Sequence, residues 1–315
     1  MNYKKYGLVN TKQMLSDALR DGYAIGAFNF YNMETLRAIL AAAREMHSPV
    51  ILAVSESALD YMDSNMLMAM IDGAKITPDE CIALHLDHGH SYEICSHAID
   101  IGFSSVMLDA SKLPFDENIA MSARVAKYAH EHGATVEAEL GLIDGHEDNN
   151  TNSRDKFFTR PNDVVKFVSQ TGIDSLAISI GTSHGAYKRK TDTEELRFDI
   201  LTEIAQKLPE FPLVLHGASN IPDKFISDIN ATGGNIVGAR GIPTDQLQRA
   251  VTMNICKINV DSDSRLAFTA GVRSILHDHP DAFNPRDYLA AGMGMVYNNA
   301  MDEIQNIMNS ANRLK

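Results

Sequence analysis

The ten residues Cys81-Ile82-Ala83-Leu84-His85-Leu86-Asp87-His88-Gly89-His90 begin as a buried strand and end on an acid and imidazoles. Buried strands normally end in turn residues, so the polar ending is informative. Histidine ligates metals and carries protons near neutral pH. An adjacent aspartate can act as general acid or base. His85 and His90 are read as ordinary polar residues. Asp87 and His88 are read as functional, because the rest of the chain repeats their pattern.

Working outward, similar runs precede and follow this one. Tyr23–Phe28 leads to Asn29, and Pro49–Val54 leads to Ser55. Ser105–Leu108 ends at Asp109, and Thr135–Leu140 carries two acids. Ser175–Ile180 runs into Gly181-Thr182-Ser183-His184-Gly185. Pro212–Leu215 meets His216-Gly217-Ala218-Ser219, and Cys256–Val260 meets Asp261-Ser262-Asp263. Runs apolar at nearly every position indicate strands covered on both faces, as in a parallel sheet.

Helical patterns lie between these runs. Asn10 or Thr11 caps a stripe of Met14, Leu15, Ala18 and Leu19, and Gly22 ends it. Met33, Leu36, Leu40 and Ala43 form a second stripe. The segment 220–254 is long, but its two Ile-Pro pairs point to short helices within it. Parallel strands need crossovers, and helices supply them. Eight strand–helix units predict a (β/α)8 barrel. The expected organisation is one catalytic domain over residues 1–315, C-terminal helices included. An open, doubly wound sheet is the alternative. Two long polar loops, 142–160 and 185–193, are read as functional.

Composition narrows the function. The chain has 315 residues, 44% of them hydrophobic, and a net charge of −13. That charge excludes the basic footprint of a nucleic-acid binder. No stretch approaches the ~18 apolar residues of a membrane span. Three cysteines without a CxxC pair fit a reducing compartment. Met1–Lys5 is not followed by an apolar stretch, so no signal peptide is expected. The expected location is the cytoplasm.

Barrel active sites lie at the C-terminal ends of the strands. Those ends carry Asn29, Ser55, Asp87, His88, Asp109, Glu139, His184, His216, Asn259 and Asp261. Three histidines on different strands can supply the nitrogen ligands of a catalytic zinc with an open position. Gly181 and Gly185 bracket His184, and Gly217 follows His216. Glycines there let backbone N–H groups approach and cradle a phosphate.

These residues resemble the class II, metal-dependent fructose-bisphosphate aldolases. The matching motifs are AFNF near residue 27, HLDHG at 85–89, SSVMLDAS at 104–111, VEAELG at 136–141, GTSHGAYK at 181–188, LHGAS at 215–219 and KINVDSDSR at 257–265. The resemblance implies that His88, His184 and His216 bind zinc. It implies that Asp109 and Glu139 hold a displaced or second divalent ion, and it allows a monovalent cation besides. Asp87 would be the acid/base at the substrate C4 hydroxyl, and Glu147 the mobile-loop acid that moves the C3 proton of the triose. Gly185, Lys188, Gly217, Ser219, Asn259 and Ser262 would hold the dihydroxyacetone-phosphate end. Arg265 would grip the distal phosphate.

The implied reaction is reversible cleavage of fructose 1,6-bisphosphate to two triose phosphates in glycolysis and gluconeogenesis. Small-molecule sugar phosphates are the expected partners, with a homodimer or homotetramer as the assembly. Alternation puts Asp261 on the same strand face as Asn259, and because similar tagatose-type enzymes tend to carry a small residue at that position, the resemblance implies the fructose epimer. A tagatose-type aldolase is the nearest alternative. A Schiff-base enzyme using Lys257 would leave the three histidines without a role, and an inactive sugar-phosphate-binding barrel would not need both Asp87 and Glu147.

Overall fold

The apolar runs become the strands of one closed parallel barrel. The computed structural model describes residues 2–143, 158–187 and 194–314. Its strands are β1 (Ile25–Asn29), β2 (Val50–Ser55), β3 (Ile82–Gly89), β4 (Ser105–Leu108), β5 (Thr135–Leu140), β6 (Ser175–Ile178), β7 (Leu213–Leu215) and β8 (Ile255–Val260). They pair in sequence order, and β8 returns to β1 with Ile25 opposite Lys257 and Phe28 opposite Val260. That last pairing excludes the open sheet.

Most strand edges shift by a residue or two from the sequence reading, and two of the shifts have a local cause. The run at Ser175–Ile180 is strand only to Ile178, because Ser179 N–H donates to Thr159 Oγ1 and the Ile180 carbonyl accepts from Arg197 N–H. The third run starts at Ile82. Cys81 is half-buried and left-handed, at the end of the short turn Pro78–Glu80.

Period-two alternation divides the barrel into two layers. Leu84 and Leu86 of β3, Val106 and Leu108 of β4, and Val136 and Ala138 of β5 join the large apolar cluster that includes helix residues. Phe28, Phe103 and Phe167 are fully buried there, each worth about 1.5–3 kcal/mol of transfer from water. The alternate positions belong to other groups. Ile25, Ala27, Ile51, Ala53 and Ala83 pack with Met14, Leu15 and Ala18 of helix Thr11–Asp21. Met107, Ala177 and Val214 form a separate small cluster. The remaining alternate positions are polar, including His85, Asp87, Glu137, Glu139, Lys257 and Asn259, and all are buried.

The helix ends follow the sequence signals. Asn10 caps the first helix by accepting from Lys12 N–H, and Gly22 ends it at φ +69°. Asn32 caps helix Met33–Glu45 by accepting from Thr35 N–H. The 220–254 segment holds helices Asp223–Ala231 and Thr244–Val251. Helices Ser262–Asp278 and Pro285–Asp302 pack on each other, and the second also lies on Met33–Glu45.

Candidate active site

The polar inner positions end at one rim, where Ser55 stands opposite Asp87 in the β2–β3 register. Asp87 and His88 are consecutive, and a regular strand would send them to opposite faces. The backbone at His88 is instead left-handed, at φ +49°, and the β3–β4 register shifts between Leu86 and Gly89. This bulge re-aims the side chain, and His88 joins Asp87 in the same chamber. A Cβ on Gly89 would meet the Met107 carbonyl oxygen and Cys95 Sγ at 2.9 Å, so glycine alone fits the turn. The Gly89 carbonyl accepts from Asp109 N–H at 2.8 Å. That bond sets Asp109 beside His88, with Oδ2 3.4 Å from His88 Nδ1.

The three predicted histidines converge. The His88 ring centroid lies 4.6 Å from that of His184 and 4.5 Å from that of His216, both edge-on. One ligand atom from each lies within 4.8 Å of the others, and His88, Asp109 and Glu139 make a second such group. His216 is fully buried, and burial first, then the Lys257 charge, pull its pKa down to about 4. It is therefore a neutral imidazole at pH 7, the form that ligates metal. Its Nδ1 has no hydrogen-bond partner among the described residues. Buried polar atoms are rarely left so. The donor set and that orphan nitrogen fit a divalent ion.

The carboxylates differ. Asp87 Oδ2 accepts from Asn29 Nδ2, and Oδ1 from Asn259 Nδ2, each at 2.9 Å. Burial opposes its charge, but His88, His216, Lys257 and Asn29 outweigh burial and hold the carboxyl well below its usual range. Asp109 is likewise depressed against burial by His88 and by two hydrogen bonds from Ser111. Glu139 goes the other way, pushed up to about 8 by burial and by the like charge of Asp109. Beneath them Glu137 Oε1 lies 2.6 Å from His216 Nε2, and Glu137 Oε2 lies 3.0 Å from Lys257 Nζ. Burial would raise Glu137, yet Lys257 and His216 hold it low. His85, hydrogen-bonded to Ser105 Oγ at 2.8 Å, is pulled down to about 3 by burial and Lys257.

Other expected positions flank this centre. Gly181 and Gly185 adopt φ of +112° and +81° on either side of His184. Gly217 and Ser219 follow His216, and Ser219 is buried. Ser55 caps the next helix through Ala58 N–H. Ser262 opens helix Ser262–Asp278, with Arg265 one turn along. Asp261 lies beyond β8, so alternation with Asn259 stops at Val260. Its carboxylate accepts from Arg265 Nε at 2.9 Å, whereas Asn259 faces Asp87. Arg265 Nε also lies 3.0 Å from the Tyr31 hydroxyl. His90 is exposed and bonded to Glu56. Glu147 and Lys188 lie outside the described residues.

Sequence reasoning missed Tyr31 and the Glu137–Lys257 pair. A signal for the pair was present, since Glu137 and Glu139 alternate within an apolar strand and so share its inner face.

A closed (β/α)8 barrel whose strand ends bring together three histidines that could hold a metal ion, beside a buried aspartate, fits a barrel enzyme of metal-assisted chemistry. The chain belongs to the class II fructose-bisphosphate aldolase family. The family described as fructose-bisphosphate aldolase class-II matches residues 9–313. A fructose-bisphosphate aldolase of Treponema pallidum is 45% identical over 99% of both chains. One from Giardia intestinalis is 44% identical over 92% of this chain and 89% of its own. The solved YdjI aldolase of Escherichia coli K12 superposes with a TM-score of 0.77 at 28% identity, over 98% of this chain and 100% of that one. As a family member the protein is a lyase that depends on a divalent metal. Among the described residues no helix is long and apolar enough to cross a membrane.

Proposed function

We propose that the protein cleaves fructose 1,6-bisphosphate reversibly to dihydroxyacetone phosphate and glyceraldehyde 3-phosphate, with zinc as its ion. The observation that carries this reading is the histidine group beside Asp87, whose carboxylate is oriented by Asn29 and Asn259. His88, His184 and His216 would hold the ion, and Asp109 and Glu139 a displaced or second one. When bound, the cation supplies a Lewis acid for negative charge developing on the ketose oxygens. Asp87 takes the C4 hydroxyl proton during cleavage and returns it in condensation. It is suited to that role because two asparagine donors fix it and its carboxyl is ionised. Closely held acid and base groups in unlike environments divide such roles.

Gly181, Gly185, Gly217, Ser219, Asn259 and Ser262 would position the triose-phosphate end, with Ser55 at the rim and Arg265 on the distal phosphate. A planar guanidinium suits a phosphate. The sequence motifs alone support Glu147 as the acid that moves the C3 proton and Lys188 as a phosphate contact. The reading extends to one catalytic domain over the chain, a cytoplasmic homodimer or homotetramer. The test is triose phosphate release from fructose and tagatose bisphosphates, with and without chelator. Release from the fructose epimer, lost in chelator and restored by Zn2+, is expected. Full activity in excess chelator, or borohydride trapping of substrate on Lys257, overturns it.

A further inference from the structure

Glu137 and Lys257 are charged, 2% and 1% exposed, and unused by the reaction above. Lys257 Nζ lies 3.0 Å from Glu137 Oε2 and 3.2 Å from Oε1. Stability does not explain the pair, since buried ion pairs replaced by apolar residues of similar volume are often neutral or better. The third member of the contact does. His216 Nε2 lies 2.6 Å from Glu137 Oε1.

A carboxylate facing an ammonium has only acceptor oxygens, so the proton in that short contact belongs to the imidazole. A neutral imidazole protonated on Nε2 is bare on Nδ1. His216 Nδ1 is the nitrogen without a hydrogen-bond partner among the described residues, on the side of Asp87 at 3.6 Å. We propose that Glu137, held in place by Lys257, is the positioning residue that fixes His216 in the one tautomer able to ligate the catalytic ion. The proposal rests on the metal-dependent reading above. It gives Lys257 the role of a structural counter-ion, with its ammonium engaged 3.0 Å from a carboxylate instead of serving as a nucleophile.

Two variants test it. In Glu137→Gln, Lys257 still requires an acceptor and takes the amide oxygen, which turns the amide NH2 toward His216. The imidazole must then accept at Nε2 and carry its proton on Nδ1. That variant also leaves the Lys257 charge without its counter-ion, which can prevent folding. Glu137→Met/Lys257→Met removes both charges together and leaves Nε2 without an acceptor.

The His216 tautomer is read by nitrogen-15 NMR of histidine-labelled, chelator-treated protein, with the His216 signals assigned by their loss in His216→Asn. Zn2+ affinity is read by competition with a chromophoric chelator. The unmodified protein should show Nε2–H, and each folded variant should show a population with Nδ1–H. Loss of such outer-shell partners weakens metal binding about ten- to a hundredfold, and Zn2+ affinity should fall by that factor. Retention of Nε2–H in the folded variants, or undiminished Zn2+ affinity in them, overturns the proposal. Failure of the unmodified protein to take up Zn2+ would instead sink the metal-dependent reading, so the two failures are distinct.

Discussion

Gly217 lies so close to Ser183 that a Cβ on it would fall 2.5 Å from the Ser183 carbonyl carbon. This approach joins the loop carrying His184 to the loop carrying His216. Gly217 also has φ +59°, a left-handed geometry that costs an L-residue roughly 1–2 kcal/mol. Gly22 shares the geometry, at φ +69°, but a Cβ there would meet nothing within 4 Å. Gly22→Ala should therefore cost only the conformational penalty and leave turnover intact. Gly217→Ala should add a backbone clash, lower the unfolding midpoint further and weaken Zn2+ binding. Equal effects of the two substitutions on Zn2+ affinity would refute this account.

Metal content gives the second prediction. Three histidine ligands leave no redundancy, so His88→Ala, His184→Ala and His216→Ala should each lose stoichiometric zinc after dialysis. The deficit should exceed the roughly ten- to hundredfold cost of losing an outer-shell partner. Asp109→Ala should keep one ion, because Asp109 belongs only to the second group. Elemental analysis of the dialysed proteins decides the matter.

The barrel was legible in the sequence because parallel strands buried on both faces are apolar almost throughout, and eight such runs alternate with helical stripes. The rim was legible because each run ends on a chemically unusual residue. Other features depend on contacts between segments distant in sequence. Adjacency gave no reason for Asp87 and His88 to share a chamber, since the bulge that brings them together comes from the packing of Gly89 on β4. The partner of Glu137 is 120 residues away. Strand six stops early because Thr159 and Arg197 take its last polar groups, a competition that hydrophobicity does not register.

Asp87 carries the third prediction. Asp87→Ala should keep its zinc and lose about 10²–10⁴ in turnover, the usual worth of acid–base catalysis. Asn29→Ala removes a donor that stabilises the ionised form. The Asp87 pKa should then rise, and the acidic limb of kcat/KM should move to higher pH with zinc content unchanged. A fixed acidic limb would show that Asn29 does not tune this carboxyl.

A fourth prediction concerns pH and stability. Glu303 is buried at 3% exposure and raised well above its ordinary 4.5, by burial first and then by Asp263. Asp263 in turn accepts from the Asn220 and Ile221 N–H groups, at 2.9 and 2.6 Å, which ties the loop after β7 to the C-terminal segment. Between pH 4.5 and its raised folded value, the native state keeps a proton that the unfolded chain releases. Stability should therefore fall as pH rises through that interval, by at most about 1.4 kcal/mol per pH unit from this group. Glu303→Gln should flatten that slope in denaturant titrations across pH. An unchanged slope would place the proton elsewhere.

The last prediction concerns Asp261 and Arg265. Strand alternation would aim Asp261 with Asn259 at the reacting carbons, but β8 ends at Val260 and the carboxylate instead holds Arg265 Nε at 2.9 Å. The Tyr31 hydroxyl shares the same N–H as a second acceptor at 3.0 Å, and its ring centroid lies 4.8 Å from the guanidinium carbon. An arginine braced twice loses less rotamer freedom when it meets a phosphate, which is how preorganisation raises affinity. Asp261→Ala should therefore behave as a weakened Arg265→Ala. Both should raise KM for bisphosphates more than for monophosphates and leave kcat comparatively untouched. A direct role for Asp261 at C4 predicts something different, namely loss of discrimination between fructose and tagatose bisphosphates at nearly constant KM. Measuring kcat and KM for both epimers and for fructose 1-phosphate, in both variants and in Asp261→Asn, separates the two. If Asp261→Ala erodes the epimer ratio while Arg265→Ala preserves it, the carboxylate acts on the substrate and not through the arginine.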